Sequence, residues 1–284
     1  AAQALAAGAN LVKVEAALAR AHWGRALWSH MQGAIPTSGV DPNDYLINNA
    51  AAVGYAEDVI AAIGPTDDWK FTLDFASASG SNPQGSWINS RQEFVFSDAY
   101  AVADNSGKAV RRDSADVDND GITTNETDIV LLDPIDNIPD QGAQEIITAF
   151  VDNLLYAPLR VVTARELHLI LAEAALAEGG AIGEFQTHIN HVRALKSSDS
   201  PLDHTPWLQA QALLGNHPEA IDMLYHERMA NLINMPNRRL WDHYRFGVPS
   251  PRWGNASSAV VNPGQVLVIG QSERVSNCFI LGTC

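Results

Sequence analysis

The stretch from residue 163 to residue 180, TARELHLILAEAALAEGG, decides the fold class of this chain. Thr163 and Glu166 form a capping box, in which each side chain binds a free backbone N–H at the start of a helix. Apolar residues then recur at spacings of three and four, and Gly179 and Gly180 favour the left-handed conformation that ends a helix. The stretch therefore predicts an amphipathic helix that buries one face.

Similar patterns on both sides of this helix predict further helices. Small and apolar residues recur with helical period, and glycine or proline marks several of the ends. The additional predicted helices span residues 2–30, 44–63, 184–195, 218–233 and 237–246. Adjoining pairs of such helices are typical of tetratricopeptide-like arrays. We therefore expect a mainly α fold built from helical hairpins.

The section between residues 67 and 156 has a different character, because Gly, Asn, Ser, Asp and Pro recur and helical periodicity fades. Short alternating runs at 71–75 and 93–96 predict brief strands, and residues 144–155 predict one helix. The chain thus divides into an N-terminal helical hairpin (1–66), an irregular, partly β insert with an acidic loop (67–156), and a C-terminal helical region (157–284). An extended tail with an apolar run at 266–269 ends that region.

Composition and charge exclude some classes of partner. The net charge is −15, from 33 acidic and 18 basic residues, so the surface repels the phosphates of nucleic acids. The sequence starts at Ala1 without a basic or apolar leader, and we expect that a signal and lipid-anchor segment has been removed. Cys278 and Cys284 are the only cysteines, and they form either a terminal disulfide or two free thiols.

An acidic loop in the insert predicts a weak calcium site. Asp116, Asp118 and Asp120 alternate before Gly121, as carboxylates do at the start of a calcium-binding loop. The acid expected at the end of such a loop is out of register, and Asp128 is the nearest substitute. The alternative interpretation is a solvated acidic turn.

A helical zinc site and an enzyme active site have weaker support. Glu184, His188 and His191 share a predicted helix face, but such histidine pairs are common and no cysteine completes a ligand set. The sequence contains no GxSxG elbow, phosphate-binding Gly-Lys loop, HExxH or CxxC motif. We therefore expect a protein that is not an enzyme.

Several segments together resemble one protein family. They read LRVVTARELHLILAEA at 159–174, Phe185–Asn190 with Arg193, His226–Arg228, RLWDHYRFG at 239–247 and Ser272–Arg274 with Asn277. In this order they resemble the SusD/RagB family of surface glycan- and nutrient-binding lipoproteins. We interpret the charges of these helices as ion pairs that lock helix orientation, because buried charges must be paired; they are Glu227, Arg228, Arg238, Arg239, Asp242 and Arg245.

The resemblance implies a protein at the surface of the outer membrane. Such a protein captures an oligosaccharide or peptide and delivers it to a TonB-dependent, SusC-like transporter. A sugar-binding surface needs flat aromatic rings and polar side chains for hydroxyl groups. The candidates in the insert are Trp69, Trp87, Asn89, Arg91 and Tyr100. The alternative is a structural surface protein that self-associates into a filament or layer.

Overall fold

The computed structural model describes residues 10–31, 46–89, 100, 112–113, 126–127, 129–177, 179, 181–198, 203–235 and 242. The fold is mainly α with small β additions, which confirms the predicted class. The helices are α1 (Leu11–Met31), α2 (Ala50–Ile63), α3 (Pro83–Asn89), α4 (Gln141–Asn153), α5 (Ala164–Ala177), α6 (Ile182–Ser197), α7 (Gln209–Leu213) and α8 (Ala220–Asn231), with a 3₁₀ turn at Leu154–Tyr156. The strands are β1 (Lys70–Leu73), β2 (Arg112–Asp113), β3 (Glu126–Thr127) and β4 (Leu159–Thr163).

Helix α5 lies at the centre of the fold. The Thr163 hydroxyl accepts a hydrogen bond from the Glu166 N–H at 3.2 Å, so the predicted cap forms. The expectation that α5 buries one face is wrong, because every residue from Ala164 to Ala175 is buried. Helices α2, α6 and α8 all pack against α5, and the polar side chains on its far side are buried with the apolar ones.

Helices α1 and α2 form the predicted N-terminal hairpin. The buried face of α1 carries Ala16, Ala19, Trp23 and Leu27, as its periodicity indicates. Helix α2 begins at Ala50 and not at residue 44, because the Asn49 side chain caps it by accepting the Ala52 N–H at 3.0 Å. None of the described helices is long and apolar enough to cross a membrane.

A small antiparallel sheet connects the insert to the C-terminal region. Strand β1, predicted as the run at 71–75, pairs with β4 in a register that places Lys70 opposite Thr163. The pairing is irregular after Phe71, where Val161 has no partner on β1. Arg20 of α1 donates to the Val161 carbonyl at 2.6 Å and so fastens the first hairpin to the sheet.

Two short helices were not predicted. Helices α3 and α7 have seven and five residues, too few for helical periodicity to stand out from noise. Helix α4 begins earlier than predicted because Asp140 caps it, accepting from the N–H groups of Gly142 and Ala143. The predicted runs at 93–96 and 266–269 lie outside the described residues. So does the helix at 237–246, except for Asp242, which is helical.

Candidate functional site

The predicted ligand-binding aromatics occupy different parts of the fold. Trp69 is partly buried against the core of α1, α2 and α5, and its carbonyl accepts the Ala164 N–H at 2.9 Å. Tyr100 packs against the core that contains residues of α4 and α8, and its carbonyl accepts the Val130 N–H at 2.9 Å. These two rings therefore support the core, and the structure does not bring them together in one surface.

Trp87 lies in α3 and is partly buried. Helix α3 packs against the 3₁₀ turn, where the Leu154 carbonyl comes too close to Gly85 for any side chain at that position. The same turn exposes Leu154 and Tyr156. Asn89 is the last residue of α3, whereas its side chain and the whole of Arg91 lie outside the described residues.

A cleft lies on the N-terminal hairpin, where no ligand site was predicted. It has a volume of about 570 Å³ and is lined by His22, Arg25, Ala26, Ser29 and Asn49. Trp28 on the same helix is 49% exposed. Three polar residues of α1, at positions 22, 25 and 29, lie on one face of the helix. This spacing is visible in the sequence, but no ligand site was predicted from it. A sugar-binding surface combines an aromatic face with hydrogen-bonding groups. The cleft provides amide, hydroxyl and cationic side chains, and Trp28 provides an exposed indole on the same helix.

The predicted calcium loop is described only at its two ends. Strands β2 and β3 pair there, with Arg112 opposite Thr127 and Asp113 opposite Glu126. Asp116, Asp118, Asp120 and Asp128 lie outside the described residues. The calcium site stays a prediction.

Arg193 and Lys196 of α6 and Glu227 of α8 belong to a buried ion-pair network. Arg193 of α6 donates to the Asp133 carboxylate at 2.7 and 3.0 Å and to Glu227 of α8 at 3.0 Å. Lys196, one turn later, donates to Asp140 at 2.9 Å and to Glu227 at 3.1 Å. These side chains are almost completely removed from solvent. The network therefore connects the segment before α4 with α6 and α8.

A second group of buried contacts surrounds Glu173 of α5. Its carboxylate accepts the Ile47 N–H at 2.9 Å and hydrogen bonds from Trp23 and Arg228 at 3.3 Å. The Arg228 guanidinium also donates to Asp242 at 3.0 Å. Asp242 is fully buried, so the sequence interpretation of this residue as half of a buried ion pair is confirmed.

The electrostatics of the network keep Asp133, Asp140 and Lys196 charged. Burial alone would raise the pKa of Asp133, but the neighbouring His204, whose Nδ1 lies 3.3 Å from the carboxylate, the hydrogen bonds from Arg193 and the charge of Lys196 hold it well below its usual range. Burial likewise opposes ionisation of Asp140, but the charge of Lys196 and the hydrogen bond with His226 outweigh it and lower its pKa. The pKa of Lys196 is raised despite burial, because Asp140, Glu227 and Asp133 surround it. Cationic side chains thus already neutralise carboxylates that could otherwise hold a metal ion.

Three histidines converge where α5 faces α6. The Nδ1 atoms of His168 and His188 lie 3.1 Å apart, and one ring nitrogen of each of His168, His188 and His191 lies within 4.8 Å of the others. Burial and the neighbouring imidazoles lower the pKa of His168 to about 3 and that of His188 to about 4. Burial also lowers the pKa of His191. All three rings are therefore neutral at pH 7. Glu184, grouped with the α6 pair in the sequence analysis, is exposed.

Comparisons of the chain with protein-family models, curated proteins and solved structures found no match. The resemblance to the SusD/RagB family therefore rests on the residues quoted from the sequence.

Proposed function

We propose that this chain is a non-enzymatic binding scaffold of the SusD/RagB type, which captures an oligosaccharide or other nutrient at the cell surface for a TonB-dependent transporter. One observation carries the proposal: polar residues of the family-like segments bind partners in other parts of the fold. Arg193 and Glu227 bind each other, Arg228 joins Glu173 to Asp242, and Asn190 holds the backbone of Trp207 at 2.7 and 3.0 Å.

These contacts favour a scaffold over a catalytic site. Buried charges that are paired and hydrogen-bonded resist displacement, because removing one partner leaves an uncompensated charge in the interior. A catalytic group, in contrast, needs a face open to substrate and a pKa near the working pH. Asp133, Asp140 and Lys196 have the reverse properties, since each is buried and its pKa is moved further from neutrality.

We favour the cleft on α1, together with the exposed Trp28 of the same helix, as the ligand surface. An exposed indole provides a flat face for a sugar ring and has only two side-chain torsions to fix on binding. Arg25, Ser29 and Asn49 offer hydrogen-bonding groups in the cleft. Trp87, the ring favoured from the sequence, is partly buried in α3 and is the second candidate.

A glycan array followed by calorimetry tests the proposal. The unmodified chain should bind at least one oligosaccharide class. Trp28→Ala should weaken that binding by about fivefold or more, if a stacked sugar ring gains roughly the 1–3 kcal/mol that a nucleic-acid base gains on an aromatic side chain. Trp87→Ala is the matched control, and circular dichroism verifies that both variants keep their helices. Loss of binding in Trp87→Ala alone would move the site to α3. Absence of any ligand on arrays of glycans and peptides would contradict the function itself.

One observation favours the alternative of a self-associating surface protein. The α7 segment exposes Leu208, Leu213 and Leu214 to 41%, 80% and 71% of their surface. Adjacent exposed leucines are typical of a protein contact. If this function holds, sedimentation and negative-stain images should show assemblies that grow with concentration, and the double change Leu213→Ser and Leu214→Ser should disperse them. Monomers at high concentration would exclude it.

A further inference from the structure

We infer that His168, His188 and His191 form a binding site for a divalent transition metal, with Zn²⁺ as the expected ion. The inference is independent of the proposed nutrient-binding function, because it concerns the contact between α5 and α6 and not the cleft on α1. The ligand set also differs from the possible zinc site of Glu184, His188 and His191 that the sequence indicated. The exposed Glu184 is replaced by His168, a fully buried residue of a different helix.

The arrangement of the helices brings the three imidazoles together. His188 and His191 are three residues apart on α6, so their side chains lie on neighbouring turns of the same face. His168 projects from α5 between them, with ring centroids 5.4 Å from His188 and 4.8 Å from His191. Because α5 is held by its cap and its buried charges, His168 is fixed in position against the partner helix.

The spacing of the ring nitrogens matches metal ligands. Zinc binds histidine nitrogen at about 2.0–2.1 Å, and two such ligands of a tetrahedral ion are separated by roughly 3.3–3.4 Å. The Nδ1 atoms of His168 and His188 are 3.1 Å apart. One ring nitrogen of each of the three histidines lies within 4.8 Å of the others, close enough for a side-chain rotation to complete the set.

Hydrogen bonding satisfies this cluster only in part. Two neutral imidazoles 3.1 Å apart share a single proton in one hydrogen bond. Within the described part of the chain, Nδ1 of His191 is buried without a hydrogen-bond partner. A buried polar atom without a partner is unfavourable by roughly 1–3 kcal/mol, so this nitrogen calls for an explanation. A bound cation provides one, because Nδ1 of His191 can donate its lone pair to the ion.

The ligand chemistry selects the class of ion. Imidazole favours zinc, copper, nickel and iron over magnesium and calcium, which prefer oxygen ligands. His188 and His191 are partly exposed, so an ion can enter from solvent. Three histidines leave one tetrahedral position for water, and the ion joins α5 to α6.

Calorimetry with ZnCl₂ on the chain purified without a histidine tag and stripped with EDTA tests this site. We expect one equivalent to bind and the melting temperature to rise with zinc concentration, because an ion that binds only the folded state stabilises it. Co²⁺ should give the intense visible absorption of a tetrahedral complex. Because His168 is buried, the substitutions are made at His188 and His191, which are partly exposed. His188→Gln and His191→Gln should each lower the affinity by more than about tenfold, given that loss of a second-shell partner alone lowers it roughly 10–100-fold.

His217→Gln is the matched control, since this histidine is partly buried outside the cluster and its Nδ1 accepts the nearby Leu208 N–H at 3.1 Å. Its zinc affinity and cobalt spectrum should equal those of the unmodified chain. Failure of the unmodified chain to bind Zn²⁺ at millimolar concentration would overturn the inference. So would binding that persists unchanged in a folded His188→Gln and His191→Gln double variant, because the ion would then lie elsewhere.

Discussion

The pair formed by Arg228 and Asp242 provides the sharpest test of the buried network. Both side chains are at most 1% exposed, and the guanidinium Nε is 3.0 Å from each carboxylate oxygen. Asp242→Ala would leave Arg228 charged in the interior. Breaking a buried pair in this way lowers the free energy of unfolding by roughly 3–5 kcal/mol.

The structure places the effect at the lower end of that range. After the substitution Arg228 keeps Glu173 at 3.3 Å, and its guanidinium remains 4.6 Å from the centre of the Trp23 ring. Two remaining partners compensate part of the lost attraction. We therefore expect a loss of about 3 kcal/mol, which corresponds to a fall in melting temperature of roughly 6–12 °C for a chain of this size.

Urea unfolding followed by circular dichroism measures the effect. The midpoint should fall while the slope stays constant, since the change affects stability and not the surface exposed on unfolding. Asp58→Ala, at an exposed position of α2, is the control and should change the free energy by less than about 0.5 kcal/mol.

A double-mutant cycle separates the ion pair from general packing. Arg228→Met removes the stranded charge, so adding it to Asp242→Ala should recover part of the lost stability. Strict additivity of the two changes, or an unchanged midpoint in Asp242→Ala, would refute the reasoning.

Four further predictions concern acid stability, a buried histidine, a glycine contact and calcium. The pKa values of Asp133 and Asp140 lie below their usual range in the folded state, so the stability that they contribute is present above about pH 4 and lost as pH falls further. The urea midpoint should therefore decrease from pH 7 to pH 4 and pH 3, and the decrease should be smaller in Asp133→Asn. The pKa of His168 falls from 6.5 to about 3 on folding, so the unfolded chain takes up this proton first and stability should already decline below pH 6.5 in EDTA; an identical slope in His168→Gln would contradict this. Gly85→Ala should lower the free energy of unfolding by about 1–3 kcal/mol, because its Cβ would clash with the Leu154 carbonyl. Gly54→Ala, in open space on α2, should raise the free energy of unfolding by roughly 0.5–1 kcal/mol, and equal shifts in melting temperature for the two variants would disprove the contact. The loop from Asp116 to Asp128 should bind calcium weakly, and calorimetry without heat at millimolar calcium would rule that out.

The sequence predicted the elements whose signals are local. The cap at Thr163, the buried stripe of α1 and the end of α2 at Gly64 each depend on residues within a few turns, and all three are observed. Helices α3 and α7 escaped prediction because their few residues form too short a pattern. Propensity and periodicity thus determine which long segments are helical.

The candidate sites depended on contacts between distant residues. His188 and His191 could be grouped from their spacing, but His168 joins them only because α5 packs against α6. The tryptophans show the same dependence on tertiary structure, since Trp69 packs against the core whereas Trp28 is half exposed.

The sequence by itself determined the mainly helical class, the cap at Thr163 and the presence of a paired charge network around Arg228 and Asp242, because these follow from backbone hydrogen bonding and from the need to pair buried charge. Only the tertiary structure decided which partner each charge has. Glu173 binds the backbone of Ile47 across 126 residues of sequence, and Arg193 binds Asp133 across 60. Such pairings follow from the way the helices pack, since a buried polar group binds whichever partner the fold brings within hydrogen-bonding distance.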